Sequence, residues 1–409
     1  MAASMAGQGF GVSRRGFLAG LGAASLSGGL EATAAPVQGA GGVYAGLGVR
    51  PLINAAGTYT ALSGSLLLPE VRAAMDEASR SYVSLPELHE ACGNRIASLI
   101  GAEAALVTSG CAAALTLATA ACVCGEDEDA IQRVPDTEGL KNEVVFLKEQ
   151  RFGYDHAIRN VGVTIVEVES QSEMRSAINE RTAMLFYLNH ANDRSPMTRD
   201  EVAALGRQTG VPTLIDAAAD LPPAKNLSAY LELGYDLVAF SGGKGLRGPQ
   251  CSGFLAGRRD LIRAAYANGA PSSNTVARIA KVGKEEIVGL TRAVELYLER
   301  DHEAEWNEWE ARVRHILSAV DGIAGVSGER FVPEIANAVP HAAIEWDRRR
   351  IELTREDFVE ALRLGEPRIE VRPSDPGEPR LEIGVWMMEP DEHRIVATRC
   401  AELLRAAAG

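Results

Sequence analysis

Between about residues 100 and 260, short apolar runs rich in β-branched residues alternate with longer stretches rich in Ala and Leu. AALVTSG (104–110) runs into an apolar helical stretch ending near Cys122, EVVFLKE (143–149) precedes HAIRNVG, and TIVEVE (164–169) precedes SEMRSAINE. TAMLFYLN (182–189) precedes TRDEVAALGRQTG, and VPTLIDAAA (211–219) leads to DLVAFSGG (236–243) and SGFLAGR (252–258). This alternation predicts an α/β fold with a mostly parallel, seven-stranded sheet covered on both faces. Ligands of such sheets bind beyond the carboxyl ends of the strands.

After Lys284 the pattern becomes one long amphipathic stretch, EEIVGLTRAVELYLERDHEAEWNEWEARVRHILSAV (285–320), followed by mixed α/β sequence to Leu404. It predicts a spine helix leading into a small C-terminal α/β domain. The expected organisation is residues 1–34 an export signal, 35–55 an N-terminal segment, 56–285 the large domain, and 286–409 the spine helix and small domain. GEDEDAIQRVPDTEGLKN (125–142) is the longest polar connection.

The first residues differ in kind. SRRGFLAGLGAASLSGGL (13–30) places Arg14 and Arg15 before an apolar stretch too short for a span of roughly 18–20 residues. A small-residue site follows at Ala32-Thr33-Ala34. The pair of arginines before Phe17 and Leu18 resembles a twin-arginine signal, which predicts export to the periplasm or beyond and no stable membrane insertion after cleavage.

The chain has 409 residues, 41 basic and 55 acidic, with net charge −14. Loss of the signal removes two arginines and Glu31 and leaves −15. A surface this acidic argues against nucleic acid or anionic membrane as a partner. The six cysteines are irregularly spaced, and the seven histidines form no HExxH or His/Cys cluster, so no metal site is expected.

Candidate chemistry falls at predicted strand ends. Lys244 sits in AFSGGKGLRGP, where a Gly-rich turn can partly desolvate it and make it a Schiff-base nucleophile. A phosphate-binding P-loop is excluded, because Val238 and Gly245 stand where Gly and Ser/Thr are required. Asp216 ends VPTLID, where a carboxylate can pair with the pyridine nitrogen of pyridoxal 5'-phosphate. Thr108-Ser109-Gly110-Cys111 joins a strand to a helix, whose first amides suit a phosphate, and Ser241 can add a hydroxyl.

The order phosphate turn, Asp, Lys resembles that of the aspartate-aminotransferase-like pyridoxal-phosphate enzymes. More narrowly, DAAAD (216–220), GYDLVAFSGGKGLRGPQCSGFLAGR (234–258) and KVGKEEIVGLTRAVELYL (281–298) are similar to the branch containing selenocysteine synthase and D-glucosaminate-6-phosphate ammonia-lyase. RPLINAAGTYTALSGSLL (50–67), PDTEGLKNEVVF (135–146) and GYDHAIR (153–159) resemble the same branch.

The resemblance implies an aminotransferase-like large domain and Lys244 as the cofactor lysine. Asp216 becomes its pyridinium partner, with Ser109, Gly110, Cys111 and Ser241 around the phosphate. In PRIEVRPSDPGEPRLEIGVWMMEPDE (367–392), similar to the family's small-domain strand pair, Arg372 is the expected carboxylate clamp. Where relatives place a ring-stacking histidine, Gln150 stands here, with Arg151 or His156 as replacements able to face the substrate. Arg278, Lys281 and Lys284 either line the cofactor or a partner subunit's site or form a solvated helix start.

The implied activity is α,β-elimination on a small amino acid or amino sugar, by a homo-oligomer. Selenium-transferase-like β-replacement, racemisation, transamination and a non-catalytic binding protein remain as alternatives. Residues 35–50 leave no room for the N-terminal tRNA-binding region of selenocysteine synthase.

Overall fold

The computed structural model describes residues 42–373 and 377–408. The predicted export signal lies outside the described residues. Residues up to Arg50 form a unit of their own, with one helical turn, Val43–Gly46.

The body from Pro51 onward opens on β1 (Leu52–Ala55). The seven predicted runs all form strands: β2 (Ala104–Thr108), β3 (Glu143–Leu147), β4 (Thr164–Val168), β5 (Thr182–Leu188), β6 (Thr213–Asp216), β7 (Leu237–Ser241) and β8 (Gly253–Gly257). They make one sheet in the order β2-β8-β7-β6-β5-β3-β4. Strands β7, β6, β5, β3 and β4 are parallel, and β8 runs antiparallel to both β7 and β2. The carboxyl ends of β5, β6 and β7 therefore lie side by side at one edge, the place where α/β sheets bind ligands.

Successive strand residues point to opposite faces, so continuous apolar runs fill two cores. Leu106, Phe146, Phe186, Leu214 and Leu255 pack with the helices Cys111–Cys124 and Arg259–Ala267. Val107, Leu147, Tyr187, Ile215 and Phe240 pack with the helices Leu85–Ile100, Arg199–Thr209 and Lys284–Glu299. Cys111–Cys124 is apolar on nearly every side because it lies against the sheet, not over it toward solvent.

The long spine helix expected over 285–320 is two helices, Lys284–Glu299 and His302–Val320. Arg300 takes an extended backbone, and the carboxylate of Asp301 accepts the Ala304 N–H at 2.9 Å, which starts the second helix.

The C-terminal part adds β9 (Val326–Phe331), β10 (His341–Trp346), β11 (Arg368–Val371) and β12 (Arg380–Gly384). The expected strand pair over 367–392 is divided between two sheets. β12 joins β10 and β9 in an antiparallel sheet, whereas β11 pairs in parallel with β1, with Leu52 opposite Arg368. The backbone bond Arg372 N–H to Glu382 O, 3.1 Å, links the two strands. A third core holds this part together, with Ile316, Phe358, Ile344 and Leu404 fully enclosed against Ile53 of β1. Each such side chain contributes roughly 1.5–3 kcal/mol.

Candidate active site

Asp216 is the last residue of β6 and is buried. Its Oδ1 accepts the Ala218 N–H at 2.9 Å and the Cys111 thiol at 3.5 Å, whereas Oδ2 takes no hydrogen bond among the described residues. Burial pushes the carboxyl above its ordinary range; the Ala218 amide, Lys244 and the Cys111 thiol pull it down. Burial, and then the Asp216 charge, push the Cys111 thiol well up, which keeps its proton available to donate. The result is a carboxylate with one oxygen fixed and the other ready for a cation.

The turn between β2 and the helix Cys111–Cys124 is shaped by close approach. Gly110 caps the helix at φ 139°, a backbone that disfavours any side chain, and no side chain caps the first amides. A Cβ on Gly253 of β8 would stand 2.6 Å from Phe240 O and 2.8 Å from Cys111 N, so only glycine lets β8 pass behind this turn. Thr108 Oγ1 donates to Gly110 O at 2.9 Å and Ser109 Oγ to Ala280 O at 2.9 Å. Those bonds fix the turn and bring the 278–281 segment beside it. The orphan amides at the start of a 14-residue helix remain for an anion.

Lys244 follows β7 in a turn closed by its own backbone. Gly242 N–H donates to Ser252 O at 2.8 Å, Arg247 N–H to Lys244 O at 2.9 Å, and Gly248 N–H to Gly242 O at 2.9 Å. A Cβ on Gly245 would meet Leu221 O at 2.4 Å, so this turn lies against the loop that follows Asp216. Ser241, half-buried, ends β7 just before the turn. Lys244 is within electrostatic reach of Asp216, Cys111, Asp220 and His190.

The last two residues were not singled out from the sequence. Asp220, buried, is the second carboxylate of DAAAD. Its Oδ2 accepts Asn189 Nδ2 at 2.8 Å and Tyr230 Oη at 2.9 Å, and Arg199 in turn donates to Asn189 Oδ1 at 2.9 Å. Burial raises its carboxyl to about 6, with the Tyr230 and Asn189 bonds opposing. His190 stands beyond β5 at the exposed rim, its imidazole lowered by the protein packed around it and then by Arg194.

The C-terminal part of the chain reaches the same edge. Asn337 N–H donates to Ala219 O at 2.9 Å, in the loop between Asp216 and Asp220, and Asn337 Oδ1 accepts Thr58 Oγ1 at 3.3 Å. Ala336 and Asn337 both have left-handed backbones, φ 57° and 49°. Arg372 is held by His341 at 2.9 Å and by Glu382 at 3.4 Å. A Cβ on Gly384 would lie 2.9 Å from Ala56 O and 3.5 Å from His341, so this cluster borders the 54–58 segment that Asn337 also touches.

Other candidate residues are placed elsewhere. Gln150 is fully enclosed, donating to Ser195 Oγ and accepting the Leu188 N–H, both at 2.9 Å, so its amide ties the ends of β3 and β5 together. Arg151 is turned to Asp155 and to Glu167 on the outer strand β4, and His156 is exposed. Among the described residues neither shares a hydrogen bond or ion pair with Lys244 or Asp216, and Arg151 is held instead by its two carboxylates. Lys284 is committed to structure, donating to Ala78 O at 2.6 Å and pairing with Glu285 at 2.5 Å. The described cysteines are all free, and no group of three or more potential ligands for a metal occurs among the described residues.

A parallel sheet with one antiparallel strand, an anion-ready helix start, a strand-end aspartate and a lysine turn define the aspartate-aminotransferase fold class. Solved structures agree: an aspartate aminotransferase from Thermus thermophilus superposes with TM-score 0.54 at 12% identity, over 87% of this chain and 99% of that one. D-Glucosaminate-6-phosphate ammonia-lyase superposes with TM-score 0.79 at 29% identity, over 90% of this chain and all of the other. Residues 52–308 match the family "SelA: L-seryl-tRNA selenium transferase", and the chain belongs to that family of pyridoxal-phosphate-fold enzymes.

It is similar to a Streptomyces protein named 5'-C-glycyluridine monooxygenase-decarboxylase, 33% identical over 88% of this chain and 92% of that protein. It is also similar to the D-glucosaminate-6-phosphate ammonia lyase of Salmonella typhimurium, 30% identical over 90% of this chain and 99% of that one. The L-seryl-tRNA(Sec) selenium transferase of Hyphomonas neptunium is matched over 63% of this chain and 59% of its own length, at 31% identity.

Proposed function

We propose that this protein is a pyridoxal-phosphate-dependent lyase that removes a β-substituent and ammonia from a small amino acid or amino sugar. The observation that carries it is the convergence of Lys244, Asp216 and the uncapped start of Cys111–Cys124 on one sheet edge. Similarity to the Salmonella ammonia lyase over nearly its whole length supports the lyase outcome over β-replacement.

The residues fit the cofactor. The free Oδ2 of buried Asp216 suits a protonated ring nitrogen, and the Gly110–Cys111 amides suit its phosphate. When bound, the cofactor supplies an electron sink for a carbanion beside the amino group. Lys244 would bind the cofactor and would take and return the proton at the substrate Cα. Asp216 would keep the ring nitrogen charged, and Cys111 holds Asp216 from behind through Oδ1. Arg372 is the candidate clamp for a substrate carboxylate, with two flanking groups fixing its guanidinium.

The test is release of ammonia and a keto acid from D- and L-amino acids and amino sugars by the reconstituted protein. Lys244→Ala should abolish release together with the visible absorption band of the bound cofactor. A band with no product from any amine would point to a binding protein, and product only with an amino acceptor to an aminotransferase. The Streptomyces relative favours one second reading, oxidative decarboxylation, which dioxygen uptake with carbon dioxide release in the same screen would reveal.

The working protein is proposed to be exported by the twin-arginine route, after loading its cofactor in the cytoplasm, and to act as a homo-oligomer without nucleic acid. Arg14 and Arg15 support export, and exposed Tyr82, Val83 and Ile279 support self-association. A reporter fused to residues 1–41 that stays inside the cell with both arginines intact would end the export proposal. Light scattering of the mature chain decides the oligomer.

A further inference from the structure

The proposed chemistry uses Asp216 and leaves the second carboxylate of the same loop, Asp220, without a role. Asp220 is 3% exposed and has no cation in ion-pairing distance among the described residues. Its Oδ2 is held by two neutral donors, Asn189 Nδ2 at 2.8 Å and Tyr230 Oη at 2.9 Å, both from buried residues, and Oδ1 takes no hydrogen bond among the described residues. Arg199 fixes this cage without touching the carboxylate: it donates to Asn189 Oδ1 at 2.9 Å and lies 5.8 Å over the Tyr230 ring. A buried charge met only by neutral donors is costly. Burial accordingly raises the carboxyl to about 6, against the pull of the Tyr230 and Asn189 bonds, and above that pH the loop carries an uncompensated charge. Asparagine would accept the same two bonds without that cost, so hydrogen bonding alone does not account for the acid.

A cation stands across the loop. Strands β6 and β7 lie side by side, with Asp216 opposite Ala239, so the chain leaves both strands at one place. A Cβ on Gly245, next to Lys244, would meet Leu221 O at 2.4 Å and Leu221 Cβ at 3.2 Å, which puts the backbone beside the lysine against the backbone beside Asp220. Lys244 itself has no ion pair or side-chain hydrogen bond among the described residues. Within its electrostatic reach, Asp216 and Asp220 are the two carboxylates, Cys111 is held protonated by burial, and His190 is pushed toward its neutral form by burial and then by Arg194. The cations near the turn are engaged elsewhere, Arg300 with the Gly245 and Leu246 carbonyls and Arg247 with Leu66 O and Glu389. With the ring nitrogen on Asp216, Asp220 is the carboxylate left for the lysine.

We propose that Asp220 is a positioning residue for Lys244, whose charge holds the lysine's ammonium at the sheet edge and makes the lysine a stronger base toward the substrate Cα. This role rests on Lys244 being the group that moves the proton. When the amine takes that proton, the C–H electron pair stays with the substrate and its cofactor, and the lysine becomes a cation. A carboxylate already fixed by Asn189 and Tyr230 stabilises that cation without having to move. Return of the proton reverses the change, and Asp220 keeps its own charge throughout.

Pyridoxal phosphate added back to the cofactor-free full-length chain joins only an unprotonated lysine. The pH dependence of its loading rate, followed by the visible band, therefore gives the pH at which Lys244 loses its proton. Asp220→Asn keeps both hydrogen bonds and removes the charge, and the midpoint should fall by about one pH unit, the tenfold change in free amine that loss of one nearby charge brings. Tyr230→Phe removes a bond and keeps the charge, and should leave the midpoint in place. Asp220→Ser, a second variant without the charge, should follow Asp220→Asn, and it carries the test if circular dichroism shows the amide variant unfolded. An unchanged midpoint in the folded charge-free variants, or an equal shift in Tyr230→Phe, would overturn the role of Asp220. A native chain that forms no band, or one whose band survives in Lys244→Ala, ends the assignment of Lys244, and Asp220 falls with it; a band whose midpoint stays fixed ends only the role of Asp220. Neither outcome depends on release of ammonia.

Discussion

Arg372 donates to Nε2 of His341 at 2.9 Å, and His341 can accept only because its other nitrogen is committed. Nδ1 lies 2.7 Å from the Val339 carbonyl and must carry the hydrogen, which leaves Nε2 a bare lone pair. The histidine is fully enclosed, and burial, then the Arg372 charge, lower it to about 4. A neutral imidazole thus aims the guanidinium, and a charged one would repel it.

His341→Ala should therefore raise KM for a carboxylate-bearing substrate about 10-fold with little change in kcat, since it frees Arg372 without touching Lys244. His341→Gln, which can accept the same bond, should restore most of the affinity.

The same histidine sets a pH window for stability. The unfolded chain takes up its proton near 6.5 and the folded chain only near 4, so stability is intact above 6.5 and falls as pH drops between those values. The loss amounts to roughly 3 kcal/mol by pH 4. Thermal melts from pH 8 to 4 should show this slope in the native protein and lose it in His341→Gln.

Asp220 has the opposite sign. Its carboxyl is raised to about 6 in the folded chain, so protonation favours folding at low pH and that contribution disappears as pH rises through 6. Asp220→Asn can still accept from Asn189 and Tyr230 and should raise the Tm above pH 7 by an amount that vanishes near pH 4. A gain at pH 8 of roughly 3 kcal/mol is the upper bound. A Tm unchanged at every pH would show that the buried carboxylate carries no cost.

Gly253→Ala places a methyl against Phe240 O and the Gly110–Cys111 backbone. It should cost about 1–3 kcal/mol and loosen the phosphate turn, so that the cofactor dialyses away faster than from the native protein.

Gln150→Ala removes the acceptor of the Leu188 N–H and the donor to Ser195. Destabilisation of about 1–3 kcal/mol is expected from the buried amide left alone. Activity remaining after correction for the folded fraction would mark Gln150 as scaffold.

The sheet was legible because its strands are short apolar runs, most of them buried along their whole length, and Asp216 and Lys244 because one ends such a run and the other stands in the glycine turn just after one. The break in the spine was not, since Asp301 is one acid among many in ERDHEAEW and its capping role depends on where Arg300 is drawn. The direction of Arg151 was not legible, because a residue on the loop after β3 can turn to either side and Asp155 and Glu167 draw this arginine outward. Asp220, Asn337 and His341 carry no local signal of their own. They become visible only when strands 100 residues apart are brought to one edge.

Ala336 and Asn337 bring the C-terminal part of the chain onto the Ala219 loop through a left-handed turn. A left-handed backbone costs an alanine about 1–2 kcal/mol, and three bonds at Asn337 hold the turn: its N–H to Ala219 O, its carbonyl from the Val339 N–H at 2.8 Å, and its Oδ1 from Thr58. The carbonyl that Asn337 grips belongs to the loop joining Asp216 to Asp220, so the C-terminal part of the chain is a wall of the same site and a change at Asn337 reaches both carboxylates through one peptide group.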